Sequence, residues 1–288
     1  MCLKVWLARL GDSQVAMKIL RRALLEVDES VKEEFEKEIE FMQRTRHPNL
    51  VRFIGAGQLE DDTQTPFLVL ELASASLSGI LWGSAQRSLT WVQRVSIATD
   101  VARGMAHIHS LGHIHRDLKS GNVLMTTSLQ AKVADFGSIR RLLLNANNMD
   151  RRRVPRTALS SPSSNSATLT TGVGTPLYMS IEALGGQPYN SATDVWSYGV
   201  LLWELATAER PDLLEQEGSQ GGAPMIVMHN LLLSGKRLRI DPTWPTALRQ
   251  LVGQSWLSNS AARPTFDTIL KRFLPSLAAA AGLLDVEV

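Results

Sequence analysis

Two strings of polar residues a fixed distance apart constrain this chain more than anything else in it. His115-Arg116-Asp117-Leu118-Lys119-Ser120-Gly121-Asn122 is followed, thirteen residues after Asn122, by Asp135-Phe136-Gly137, and Val15-Ala16-Met17-Lys18 lies upstream of both. Taken singly, each string is weak: a lysine on a strand is usually a solvated charge, and Asp-Phe-Gly is usually a turn. Their order, spacing and strand-or-loop context are specific when they occur together. Val123–Met125 and Ala131–Ala134, the apolar runs between them, read as a small hairpin.

The rest of the chain divides into a strand-rich beginning and a helical remainder. Residues 3–20 read as two strands around the turn Gly11-Asp12. From Glu29 to Arg46 the pattern is helical, with Val31, Phe35, Ile39 and Met42 on one face. His47-Pro48 ends it, because the residue before proline is pushed out of the α region. Leu50–Gly55 and Phe67–Leu72 are apolar runs suited to strands. Leu89–Leu111, with Val92, Val95, Ile97, Val101, Met105 and Ile108, reads as a long apolar helix. Ala192–Leu205 reads as a buried helix, and Leu248–Trp256 and Phe266–Leu274 as closing helices. Residues 145–171, rich in Ser, Thr, Asn and Arg without apolar periodicity, read as a long mobile loop, and Gly218–Pro224 as a second loop. Strands first and helices after make an α+β arrangement.

Composition narrows the partners. The chain has 288 residues, 44% of them apolar, enough for one large domain or two lobes sharing a cleft. Lys plus Arg number 30 against 28 Asp plus Glu, a net +2 that argues against a general polyanion binder and so against nucleic acid. The single cysteine, Cys2, excludes an internal disulfide framework and suits a reducing compartment. No apolar run reaches the roughly 18–20 residues that span a bilayer, and no secretory signal opens the chain. The expectation is a soluble cytoplasmic protein without a membrane segment.

From about Val5 to Phe273 the sequence resembles the protein kinase family, through the strings quoted above. The resemblance implies a bilobal α+β fold, with residues 1–72 as a small β-rich lobe and 73–288 as a large helical lobe, and a phosphoryl transfer from ATP with Mg²⁺ to a protein substrate. Phosphoryl transfer develops charge on phosphate oxygens, so catalysis is mainly positioning and electrostatic clamping. The implied roles follow. Lys18 holds the α- and β-phosphates from a strand. An acid on the following helix fixes that lysine; Glu38 has the family's offset from His47, and Glu34 and Glu40 are alternatives. Asp117 accepts or orients the substrate hydroxyl proton, and Lys119 stabilises the transferring phosphoryl group. Asn122 and Asp135 are hard oxygen donors of the kind Mg²⁺ selects. Leu70 backs the adenine pocket, and Glu71-Leu72-Ala73 link the lobes.

Further landmarks extend the likeness. Gly174-Thr175-Pro176 through Ser180-Ile181-Glu182 resembles the end of an activation segment, although the family usually reads Ala-Pro-Glu there. Glu182 is expected to pair with Arg263, and Asp194 to hold the loop around Asp117 by its backbone. The serines and threonines between Ser160 and Thr171, Thr170 and Thr171 above all, read as phosphorylation sites. Lys119 and Thr175 point to serine/threonine substrates. Lys-Ser-Gly-Asn, Arg-His-Pro-Asn-Leu-Val and Asp-Val-Trp-Ser-Tyr-Gly-Val-Leu-Leu-Trp-Glu-Leu resemble the tyrosine-kinase-like group, which includes Raf-like and mixed-lineage kinases. Dual specificity is the alternative. The family's glycine-rich strand–turn–strand lacks its counterpart: Val5 fits its valine, but Leu3 stands where the last glycine belongs. The expectation is an N-terminally incomplete domain, with a catalytically weak pseudokinase scaffold as the other class of function.

Overall fold

The computed structural model describes residues 4–20, 29–59, 65–142, 176–187, 190–218 and 223–284. The expected loop over 145–171, Cys2, Leu3, Gly174 and Thr175 lie outside the described residues.

The chain opens with the expected hairpin. β1 (Lys4–Leu10) and β2 (Ser13–Ile19) pair antiparallel with Leu10 opposite Ser13. The two-residue loop between them needs a positive φ at its first position, and Gly11 supplies it at 60°. β3 (Phe53–Gln58) and β4 (Pro66–Glu71) complete a four-stranded sheet in the order β1-β2-β4-β3. β1 is an edge strand, and its Val5, Trp6, Leu7 and Leu10 are exposed. Helix α1 (Glu29–Arg44) packs Phe35 against Leu20 and Leu68 of the sheet, a small core of its own. Helix α1 stops two residues before the expected Arg46, and Thr45 N closes its last turn on Met42 O.

β3 begins three residues later than the apolar run that suggested it. Leu50 and Val51 are diverted: Val51 N donates to Val133 O and Val133 N to Asn49 O, so this stretch pairs across to the helical half. Close approach makes this possible. A Cβ on Gly104 would stand 2.6 Å from Asn49 O, so only glycine lets the long helix pass beneath.

That helix, α3 (Trp91–Ser110), follows the short β5 (Ala75–Ser76) and α2 (Leu77–Leu81). It starts on a capping box: Thr90 Oγ1 accepts from Gln93 N, and Gln93 Oε1 accepts from Thr90 N. Val95, Ile97, Val101, Met105 and Ile108 face inward as expected, whereas Val92 is exposed. After α3 come β6 (His113–Ile114), β7 (Val123–Met125), β8 (Ala131–Val133) and β9 (Arg140–Arg141); β7 pairs with β5 and β8, and β6 with β9. The loop between β6 and β7 carries the first polar string, and the turn after β8 carries Asp135.

The remaining helices are α4 (Ile181–Leu184), α5 (Ser191–Thr207), α6 (Leu213–Gln216), α7 (Pro224–Leu233), α8 (Thr246–Ser255) and α9 (Leu274–Leu284), with the turns Phe266–Thr268 and Ile269–Phe273 leading into α9. α5 is buried all round from Thr193 to Ala206, the signature of a central core helix. Helix α7 was not anticipated: the preceding loop was legible, but its Pro224 serves as the first helical residue, where a missing N–H costs nothing. No described helix is long and apolar enough to cross a membrane.

Candidate active site

Lys18 is the innermost charge of the sheet. Its place on β2, opposite Val5 and Leu68, turns it inward, and it is 6% exposed. A buried ammonium needs partners, and it has two carboxylates. Lys18 Nζ donates to Glu38 Oε1 and Oε2 at 2.7 and 2.9 Å and to Asp135 Oδ1 at 2.9 Å. Of the three acids weighed on α1, the structure brings Glu38 to the lysine. Glu34 pairs with Arg140 and Glu40 with Arg44 on the helix surface.

Electrostatics follow from this burial. Desolvation opposes the charge on Lys18, but Glu38 and Asp135 outweigh it and push the ammonium above the ordinary lysine value. Burial would raise Asp135, yet Lys18 holds it below the usual carboxylate range. Glu38 is raised, because its burial is the larger effect and Asp135 adds repulsion that Lys18 offsets only in part.

The loop after β6 arranges the remaining groups. Asp117 accepts from Lys119 Nζ at both oxygens, at 3.0 and 2.9 Å. Asn122 Nδ2 donates to Asp117 O at 2.8 Å and to Asp117 Oδ2 at 2.9 Å, which turns Asn122 Oδ1 away from Asp117. Asp117 and Lys119 are both partly open to solvent. Two residues of this region hold left-handed backbones without being glycine, Arg116 at φ 70° and Asp135 at φ 63°. Such conformations persist only where the surroundings over-determine them.

Those surroundings are identifiable. Asp194, in the first turn of α5 and fully buried, accepts from His115 N at 2.9 Å and Arg116 N at 2.8 Å. His109 Nε2 lies 2.8 Å from the same carboxylate. Burial alone would raise Asp194, but the bond with His109 and the neighbouring histidines hold it below the ordinary carboxylate range. His115 Nε2 donates to Ala134 O at 3.0 Å while its Nδ1 accepts from Asp117 N, so one imidazole ties the two polar strings together. Phe136 is buried between Phe41 of α1 and His115, with ring centroids 5.2 and 5.6 Å away. Glu182 pairs in a fork with Arg263, at 2.6 and 2.8 Å. Desolvation would raise Glu182, and Arg263 brings it below the ordinary value.

The three residues read as lining an adenine site lie at the end of β4. Leu70 stands opposite Ala16 and Phe53. Glu71 accepts from Arg52 N at 2.7 Å and Lys132 Nζ at 2.9 Å. Leu72, beyond the strand, is exposed. A separate cavity of about 560 Å³, lined by Arg46, His47, Val51 and Lys132 among others, shares none of the candidate residues.

The oxygen donors Asn122 and Asp135 suit a hard cation. Asp135 Oδ1 is taken by Lys18, and its Oδ2 has no hydrogen bond among the described residues. No group of three or more His, Cys, Asp or Glu that could enclose a metal ion exists among the described residues. That donor set fits Mg²⁺ in its usual manner, bound by one or two protein oxygens together with substrate phosphate and water.

Sequence reasoning did not find His109 or Glu204. His109 carried no signal beyond a helix position. Glu204 did: it is the one acid in the apolar run from Val200 to Leu205.

The family described as protein tyrosine and serine/threonine kinase matches residues 4–273. A probable LIM domain-containing serine/threonine-protein kinase of Dictyostelium discoideum is 33% identical over 251 residues, 85% of this chain and 34% of that one. Serine/threonine-protein kinase CTR1 of Arabidopsis thaliana is 34% identical over 274 residues, 93% of this chain and 29% of that one. Dual specificity protein kinase shkD of Dictyostelium discoideum is 30% identical over 271 residues, 93% of this chain and 32% of that one. The chain spans about a third of the length of these curated relatives.

Proposed function

The chain belongs to the protein tyrosine and serine/threonine kinase family, and from that premise we propose that it transfers the γ-phosphoryl group of ATP to serine or threonine hydroxyls of a protein. The observation that carries the reading is the meeting of Lys18 with Glu38 and Asp135 at 2.7 and 2.9 Å, beside an Asp117 held by Lys119 and Asn122. A positive charge fixed by two acids, next to free carboxylate and amide oxygens, is an arrangement that holds polyphosphate and cation together.

The chain's own residues divide the work. Lys18, kept ionised by its carboxylates, binds the α- and β-phosphates and is aimed by Glu38. Asp117 accepts the proton of the substrate hydroxyl at a carboxylate oxygen. Lys119, within 3.0 Å of that carboxylate, places a positive charge where the transferring group's oxygens develop negative charge. Asn122 and Asp135 would hold Mg²⁺, which supplies charge neutralisation between phosphate oxygens when bound. Leu70, Glu71 and Leu72 form the adenine end, with backbone groups reading the base. Residues 1–72 are assigned as the small lobe and 73–288 as the large one. The protein substrate is an inference from the family, as is the preference for Ser and Thr; Lys119 supports that preference.

The test is phosphotransfer from labelled Mg·ATP to a generic basic protein, followed by phosphoamino-acid analysis. Phosphoserine and phosphothreonine are expected, and D117N should lower turnover by about 100-fold or more while keeping the fold. Phosphotyrosine alongside them makes the enzyme dual-specific. A wild-type chain that binds nucleotide but transfers nothing, or a D117N variant as active as wild type, overturns the assignment.

A further inference from the structure

The cavity of about 560 Å³ that shares no residue with the candidate active site is one-sided in its charge. It opens where the loop after α1, the approach to β3 and strand β8 meet, and Arg46, His47, Arg52 and Lys132 line it. No carboxylate is among its lining residues. Arg46 and Arg52 are exposed, and neither guanidinium is paired with an acid among the described residues. Lys132 is partly buried and already held: its Nζ lies 2.9 Å from Glu71 Oε1 and donates to Pro48 O at 3.0 Å. Glu71, the acid that neutralises Lys132, accepts from the backbone N of Arg52 at 2.7 Å rather than from its side chain.

The histidine at this corner registers the same field. His47 stacks on His107 of α3 with ring centroids 4.8 Å apart. Burial, and after it the nearness of His107, Arg103 and Lys132, holds His47 below the ordinary histidine value, with Asp100 working against them. Asp100 is itself committed to Ala131 N and to Arg103. The local charge is therefore positive and under-neutralised, in a chain whose net charge is only +2. The floor of the cavity has a different chemistry. Leu50 and Val51 are buried there, and Phe53 and Ile54 are partly buried. The volume lies in the range of sites that enclose small organic ligands and exceeds what a bare phosphate fills.

We propose that this cavity binds a phosphoserine or phosphothreonine of a partner protein, with the phosphate on Arg46 and Arg52 and a neighbouring apolar residue on the floor of Val51, Phe53 and Ile54. The charges match: two unpaired guanidinium forks suit the oxygens of a phosphomonoester, which carries about −1.5 to −2 charge. A bilayer surface meets the exposed arginines but does not reach a recessed apolar floor, whereas a peptide meets both. The site lies apart from Lys18, Asp117 and Asp135, so the inference does not depend on the kinase reading.

The probe is a short fluorescent peptide with one phosphothreonine between two leucines, titrated onto the chain without nucleotide beside its unphosphorylated twin. The phosphorylated form should bind about tenfold more tightly or better, and the preference should shrink as salt rises. R46A and R52A should each cost about tenfold in affinity, and the double variant should lose the preference for phosphate. Both side chains are exposed, so an unchanged thermal midpoint is expected for the variants. D117N should bind the phosphopeptide as wild type does, which separates the cavity from the substrate site. Equal affinity for the two peptides, or a phosphopeptide held as tightly by R46A/R52A as by wild type, overturns the inference. Inorganic phosphate competing at the peptide's own affinity also overturns it, since the site would then take a free anion. Binding to phosphatidylinositol 4-phosphate vesicles that needs Arg46 and Arg52, without binding of the peptide, overturns it in favour of a membrane contact. Because binding is read without turnover, a chain that holds the phosphopeptide and transfers nothing removes the kinase reading and leaves this inference standing.

Discussion

A lysine on a strand is ordinary until its surroundings are counted. Lys18 is buried with two acids on one nitrogen, and Glu38 opposite it is 1% exposed, so neither can lose the other cheaply. K18M preserves bulk and removes charge. It should lower phosphotransfer by about 100-fold or more. It should also destabilise the fold by about 3–5 kcal/mol at neutral pH, because Glu38 is left buried and unpaired. The pH dependence has a definite sign. Glu38 is already raised by burial, and without Lys18 nothing offsets that, so the folded chain holds a proton there that the unfolded chain releases above about 4.5. The stability deficit of K18M against wild type should therefore grow from pH 5 to pH 8, as read by urea unfolding at each pH. K18M/E38Q should remove most of that growth. A deficit independent of pH would show that Glu38 is not the residue left exposed to the loss.

Between secondary-structure elements, α5 acts on the loop after β6. Asp194 fixes two consecutive backbone N–H groups, one of them on Arg116 with its left-handed φ of 70°. D194N keeps the shape but can accept with only one oxygen, so it should release one N–H, cost about 3 kcal/mol and lower kcat. Asp194 is held below the ordinary carboxylate range, so its contribution is present above that range and lost as pH falls beneath about 3.8. Acid unfolding from pH 5 to 2 should accordingly be shallower for D194N than for wild type. The same elements show what the sequence could reveal. Asp117, Asn122 and Asp135 were legible because motif spacing fixes them on one loop and one turn, and Glu38 because its offset from His47 places it on the inward side of α1. Glu204 was not read, since a helix periodicity argument assigns positions to a face but says nothing of a carboxyl inside the face. Strand ends were misplaced where tertiary pairing overrode apolar pattern: Leu50 and Val51 look like strand β3, but Val133 claims them. Helix α7 went unread because its Pro224 looked like a breaker and serves instead as a start.

Across the described chain, two unequal cores share one set of charges. The sheet half closes around Leu20, Phe35 and Leu68, while the helical half surrounds Trp196 and Tyr198 with a far larger apolar cluster. The larger half is also clamped, since Arg263 is fully buried beneath its fork with Glu182 and lies 5.0 Å over the Trp196 ring. R263A should cost about 3–5 kcal/mol by leaving Glu182 without its fork, and R263K somewhat less, because an ammonium keeps the charge and loses the bidentate geometry. Stability should be graded across the molecule in the same way. Amides of β1, an edge strand with exposed side chains, should exchange first, and those of α5 last, near the global unfolding free energy. Lys18 belongs to the small core's sheet, and Asp135 to the turn after β8, so their 2.9 Å contact is, with Glu34–Arg140 and Glu71–Lys132, one of the charged links between the halves among the described residues. A Mg·ATP complex that engages Lys18 from one side and Asn122 and Asp135 from the other would bind only the closed arrangement. At about 100 times its dissociation constant it should add about 2.7 kcal/mol of stability. The gain should appear as slower exchange in β2, α1 and the Asp117 loop, with α5 unchanged because it is already at the ceiling. Hydrogen exchange by mass spectrometry with and without Mg·ATP reads this directly. Protection spread evenly over both halves, or confined to the helical one, would refute the placement of the nucleotide between Lys18 and Asp135.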